Sequence, residues 1–225
     1  SLAKKLWQAG IKGTESVDVL IPQSSTENTD VWMVIASSLN VTDLLALRKA
    51  STHKRIIAEM TLINQLNAGK ITPFDLRIFK VADIIDFFGE HCSHITRLDL
   101  QKFQIQDENI ENLSENLKNL NHLLFKEANI TNNSTVHLKK LTLLRSFVLS
   151  ECDPIDDLSF LQNYKELTSL SLFDCGQIND FKFLQDCKDL TCLNLSWAQI
   201  NDISFLEHCK KLANLNFLGC REIVD

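Results

Sequence analysis

A chain of 225 residues, 44% apolar and 23% charged, has room for a real core and the make-up of an ordinary globular protein. Six Gly and three Pro exclude a collagen-like chain, and no apolar run approaches the roughly 18 residues that span a bilayer. The net charge of −6 falls entirely on residues 95–225, which hold thirteen basic and nineteen acidic groups against ten of each over 1–94. An acidic second half argues against a nucleic-acid partner, because phosphate contacts need clustered Lys and Arg. No membrane partner is expected either.

The opening Ser1-Leu2-Ala3-Lys4-Lys5 is not expected to be a signal peptide, because no apolar stretch follows it. A start at Ser1 leaves room for a missing targeting segment. Residues 1–30 form a first segment, in which Leu2, Leu6 and Ala9 make one face of a short helix. Ile21-Pro22 breaks any helix there. A helical module is expected over 31–70. Val31, Val34, Ile35, Ser38 and Leu39 lie at helical spacing, and Asn40 caps a second helix with Asp43 three residues on. Leu44, Leu47 and Ala50 stripe that helix. A third helix over 53–67 turns Ile56, Ile57, Met60, Ile63 and Leu66 inward and ends at Gly69. Thr72-Pro73 starts a helical cap or linker over 71–94.

From residue 95 the chain repeats. Six copies start at Ile95, Leu120, Leu144, Leu167, Leu190 and Leu212, at spacings of 25, 24, 23, 23 and 22. Each has apolar residues at relative positions 1, 4 and 6, then a Cys, Ala or Phe, then Ile, as in Leu167, Leu170, Leu172, Cys175, Ile178. This matches the leucine-rich-repeat template and its range of about 20–29 residues. Asp157, Asp180 and Asp202 each open a short apolar return, read as a capped single helical turn. Each repeat is too short to bury its own apolar side, so the strands stack in a parallel sheet over one core. Curvature then leaves one sheet face open. The fold expected is α/β: a helical module followed by a curved solenoid with a parallel sheet.

Strand alternation gives that open face. One ladder is Arg97, His122, Ser146, Ser169, Cys192, Asn214. The next is Asp99, Leu124, Val148, Ser171, Asn194, Asn216, and the third is Gln101, Lys126, Ser150, Phe173, Ser196, Leu218. Just beyond lie Lys102, Glu127, Glu151, Asp174, Trp197 and Gly219. Leu124, Lys126, Val148, Glu151, Phe173, Asp174, Trp197 and Leu218 are the candidate partner-binding residues. Phe173 and Trp197 either anchor a partner or tuck sideways into the core.

Chemistry is not expected. No Gly-rich phosphate loop, Gly-x-Ser-x-Gly or His-Glu-x-x-His is present. Seven Cys is an odd number, and six of them fall in repeat-equivalent slots, which suits reduced, packed thiols in a cytosolic protein. Cys192 and His122 share a ladder but stand three strands apart, about 14 Å, too far to act together. No metal and no cofactor is expected.

The string Ile35-x-x-x-Leu39-x-x-x-Asp43-Leu44-x-x-Leu47-x-x-Ala50-Ser51 resembles the F-box motif. With the repeats, the chain resembles F-box/leucine-rich-repeat proteins, the substrate receptors of SCF ubiquitin ligases. The resemblance implies that Ile35, Leu39, Asp43, Leu44 and Leu47 dock on the Skp adaptor carried by a cullin, while the repeats hold an unknown substrate protein. The repeats themselves look closer to the short bacterial internalin-like or phosphatase-regulator class than to the longer cysteine-containing class. A bacterial effector acting in a host cytosol would reconcile both halves. The alternative is a repeat module whose helices only cap the solenoid, with no ubiquitin link.

Overall fold

In a computed structural model, the described residues are 36–49, 52–76, 78 and 80–220, with the backbone alone for 53 and 54. The chain divides into two compact units, Ser1–Lys70 and Ile71–Asp225. The helix expected over the first 30 residues, Ile35 and the final Ile223 lie outside the described residues.

The first unit holds α1 (Val41–Arg48) and α2 (Thr52–Asn67). Asn40 caps α1 as the sequence indicates, its Oδ1 accepting the Asp43 N–H at 2.9 Å. Gly69 ends α2 in a left-handed turn (φ 66). There the Lys70 and Gly69 N–H groups donate to Gln65 O and Leu66 O, the paired bonds of a Schellman motif. Ile57, Ile63 and Leu66 are buried, but Ile56 is 41% exposed, contrary to the inward reading, and Met60 is half-buried. The inward positions are filled instead by Ala58, Leu62 and the carboxylate of Glu59. Glu59 Oε1 accepts from Arg48 Nε at 2.7 Å and Arg55 Nε at 2.9 Å, which ties α1 to α2. A buried carboxylate is tolerable only when paired in this way.

The second unit begins with a 3₁₀ turn, Pro73–Leu76, where Asp75 accepts from both the N–H and the hydroxyl of Thr72. Helix α3 (Val81–Phe88) follows. Then come β1 (Arg97–Asp99), α4 (Asp107–Asn116), β2 (His122–Lys126), the single turn α5 (Thr135–Leu138), β3 (Ser146–Ser150), β4 (Ser169–Phe173), β5 (Cys192–Asn194) and β6 (Asn214–Asn216). The strands form one parallel sheet in chain order. Helix α4 was not anticipated. At its start the Gln106 N–H donates to Asn109 Oδ1 at 2.9 Å, and Ile110 and Leu113 bury its inner side.

The returns of the later repeats are 3₁₀ turns, as the aspartates predict. Asp157 Oδ1 accepts from the Ser159 N–H, Asp180 from Lys182 and Asp202 from Ser204, at 2.8–3.0 Å. One apolar layer lies between these returns and the sheet. At its centre Phe147 meets Phe125, Phe160 and Tyr164 edge-on at 6.1–6.2 Å between centroids. Tyr164 is buried, and its hydroxyl donates to Leu138 O at 2.7 Å.

The layer thins at the last repeat. Leu215, equivalent to the buried Leu193, is 43% exposed, and Ile203 is 36% exposed. Strand β6 has a neighbour on one side only among the described residues, so nothing described covers the far side of its side chains.

Candidate functional site

The sheet register reproduces the ladders read from the sequence. Arg97, His122, Ser146, Ser169, Cys192 and Asn214 pair in turn, as do Asp99, Leu124, Val148, Ser171, Asn194 and Asn216. In β2, β3 and β4 burial alternates residue by residue, so the side chains of these ladders stay partly open to solvent.

Strand length follows the second ladder. Where it carries Leu124, Val148 or Ser171, the strand runs five residues; where it carries Asp99, Asn194 or Asn216, it stops at three. The cause is local. Asp99 Oδ1 captures the Gln101 N–H, Asn194 that of Ser196 and Asn216 that of Leu218, at 3.0–3.1 Å. A short polar side chain that bonds its own backbone two residues on competes with the sheet ladder. The same capture turns Ser196 inward. Its hydroxyl donates to Asn194 Oδ1 at 2.6 Å and the residue is 1% exposed, so it does not belong to the open face as expected.

The chain leaves each strand from β2 to β6 through a left-handed residue. Glu127, Glu151, Asp174 and Trp197 have φ of 52, 55, 52 and 65, and Gly219 has 80. Trp197 is 46% exposed and Leu218 67%. Trp197 therefore stands outside the core, while Phe173, Leu124 and Val148 are half-buried on the face. Lys126 Nζ bridges Glu151 at 3.2 Å and Glu127 at 3.4 Å. Bonds to Glu151 first, then Glu127, hold the ammonium above its usual range. The Asp174 carboxylate is exposed and has no ion pair among the described residues.

The residues named for adaptor docking sit differently. Leu39, Leu44 and Leu47 are 5%, 0% and 6% exposed, and Asp43 is half-buried beside Asn40. They form part of the first unit's core. Ile35 lies outside the described residues.

The thiols are packed. Cys92, Cys152, Cys175, Cys187 and Cys209 are buried. Burial pushes Cys187 up to about 12, and the hydrogen bond with Cys152, together with burial, pushes Cys175 up. Thiols held protonated are poor nucleophiles. Burial, then the charge of Arg97, lowers His122 to about 4 against a small opposing effect of Asp99, so its ring is neutral at pH 7. Among the described residues no group of three or more His, Cys, Asp or Glu is arranged to hold a metal ion. No described helix is long and apolar enough to cross a membrane. A polar cleft between the returns, about 580 Å³, is lined by Asp156, Asp157, Ser159, Asp180 and Lys182. Two of its carboxylates, Asp157 and Asp180, are already engaged as caps.

No protein-family model matches the sequence, and no curated protein is similar enough to align with it. Among solved structures, an internalin (InlF) from Listeria monocytogenes is 30% identical, with a TM-score of 0.51 over 59% of this chain and 37% of that one. The second unit has a leucine-rich-repeat fold. Internalin C2 from the same bacterium is 25% identical, with a TM-score of 0.44 over 56% of this chain and 52% of that one. A plant peptide hormone receptor, RGFR1, in complex with RGF2, is 14% identical, with a TM-score of 0.38 over 57% of this chain and 28% of that one. The chain thus spans well under half the length of InlF.

Proposed function

We propose that this chain is a protein-binding module, that the open sheet face of its leucine-rich repeats holds a protein partner, and that the chain does no chemistry itself. The observation that carries the reading is Trp197. It stands nearly half exposed beside Leu218 at the edge of a face made mostly of small and polar groups. An exposed aromatic rimmed by polar side chains is the usual form of an interface anchor. The half-buried Val148 and Ser171, paired at the middle of the sheet, give a partner a contact surface on the open face. Capture on the immobilised chain, run beside a Val148→Arg variant, tests the reading. A protein retained by the wild type and lost on the variant supports it. Proteins retained equally by both contradict it.

A second reading adds docking on the Skp adaptor of an SCF ligase, with its cullin, so that the repeats present a substrate for ubiquitin transfer. The observation in its favour is the capped helix pair α1–α2, set in a compact unit distinct from the repeats. The burial of Leu44 and Leu47 weighs against it, because docking through them requires the unit to open. On this reading the protein works in the cytosol of a host cell. Titration of the full chain with purified Skp adaptor decides it: saturable binding supports docking, and none by the folded chain overturns it.

A further inference from the structure

The left-handed residues form one column. The Glu127 N–H donates to Ser150 O at 2.9 Å, Glu151 to Phe173 O at 2.8 Å, Asp174 to Ser196 O at 2.9 Å and Trp197 to Leu218 O at 2.8 Å. Each acceptor immediately precedes the next residue of the column. The five positions therefore follow one another at about the 4.8 Å strand spacing. Gly meets this backbone without strain, and Asn tolerates it best after Gly. The chain contains 18 Asn and places none there. Moving along the repeats, the column reads Glu, Glu, Asp, Trp and Gly.

Lys126 occupies the first two carboxylates, at 3.4 and 3.2 Å. The third, Asp174, is exposed one strand away from the indole of Trp197. Beyond Trp197 comes Leu218, 67% exposed. This end of the sheet therefore offers a carboxylate with no ion pair among the described residues, an aromatic ring and an aliphatic side chain in succession. A carboxylate beside an aromatic ring attracts a cation twice, once by charge and once through the ring quadrupole. Residues 95–225 carry six more acidic than basic groups, nineteen against thirteen, so the surrounding field favours the same sign of partner.

We propose that the Asp174–Trp197–Leu218 end of the column receives an extended basic segment of the protein partner. An Arg or Lys side chain lies on the Asp174 carboxylate and against the indole, and a neighbouring apolar side chain covers Leu218. The inference rests on the reading of the sheet face as a protein-binding surface and specifies the partner's chemistry. Anionic segments are disfavoured by the Asp174 carboxylate and by the acidic excess of residues 95–225.

The test is a selection of random twelve-residue peptides displayed on phage against the full chain. Enriched clones are then titrated on the wild type, Asp174→Asn, Trp197→Ala and Val148→Arg. Asn suits the left-handed backbone at least as well as Asp, so Asp174→Asn removes charge without disturbing the fold. The expected result is clones carrying Arg or Lys beside an apolar residue, bound about tenfold more weakly by Asp174→Asn and by Trp197→Ala. Clones without basic residues, clones indifferent to both variants, or no enrichment at all would overturn the inference. Clones lost on Val148→Arg but indifferent to Asp174→Asn overturn it while keeping the binding reading. Clones indifferent to all three variants count against both.

Discussion

The indole of Trp197 lies directly on the backbone of Gly219: a Cβ built on that glycine would stand 2.6 Å from Cδ2 of the ring and 2.8 Å from Cε3. The two occupy equivalent places in successive repeats, both with positive φ. Absence of a side chain in one repeat thus seats the exposed aromatic of the repeat before it. Gly219→Ala should push the ring away and strain the backbone, at a cost of about 1–2 kcal/mol. In a Trp7→Phe/Trp32→Phe background, where Trp197 is the only indole, its emission should shift in the same variant. An unchanged spectrum and melting temperature would show that the ring does not rest there.

Glu59 holds the helix pair of the first unit through Arg48 and Arg55. The carboxylate is buried, whereas the arginine side chains are 23% and 51% exposed and keep much of their hydration. Glu59→Ala should cost about 2 kcal/mol, in line with the loss of charge-assisted hydrogen bonds. Urea unfolding followed by helical circular dichroism checks this. The amide exchange of Phe147 and Leu170, in the repeat core, should stay as in the wild type.

Tyr164 links two repeats through its hydroxyl, which donates to Leu138 O at 2.7 Å in a buried site. Tyr164→Phe keeps the edge-on contacts with Phe147 and Phe160 and leaves that carbonyl with the Leu141 N–H, at 2.9 Å, as its remaining donor. A loss of about 1 kcal/mol, the net worth of one hydrogen bond, is expected in denaturant titration.

His122 gives the sheet a pH dependence. Its ordinary value of 6.5 is lowered to about 4 in the fold, by burial first and then by Arg97. Between these values the unfolded chain takes up a proton that the folded chain refuses. Stability therefore falls as pH drops from 6.5 towards 4 and levels off for this group below that. His122→Gln should flatten this part of the curve relative to the wild type. Carboxylate contributions are common to both proteins and cancel in the difference.

The repeats were legible because their signal is periodic. The repeat of 22–25 residues set the pairing of the six strands, and the aspartates at 157, 180 and 202 announced the 3₁₀ returns. Strand ends were less legible, since they depend on whether a residue such as Asn194 bonds its own backbone. Helix α4 had a readable signal in Gln106, Asn109, Ile110 and Leu113, hidden by the shorter returns that follow it. In the first unit the helices were legible but burial was not. An apolar stripe such as Leu39, Leu44 and Leu47 looks the same whether it faces a partner or its own unit's core. The Trp197–Gly219 contact was out of reach, because it joins residues from different repeats through a backbone angle that composition does not reveal.

Site-specific photocrosslinking tests the binding face most directly. A benzophenone amino acid is placed at Val148 on the sheet face and, separately, at Val136, which is 46% exposed on the return side. The account predicts one saturable protein adduct from position 148 and none from position 136. Adducts from position 136 alone, or equally from both, would contradict it.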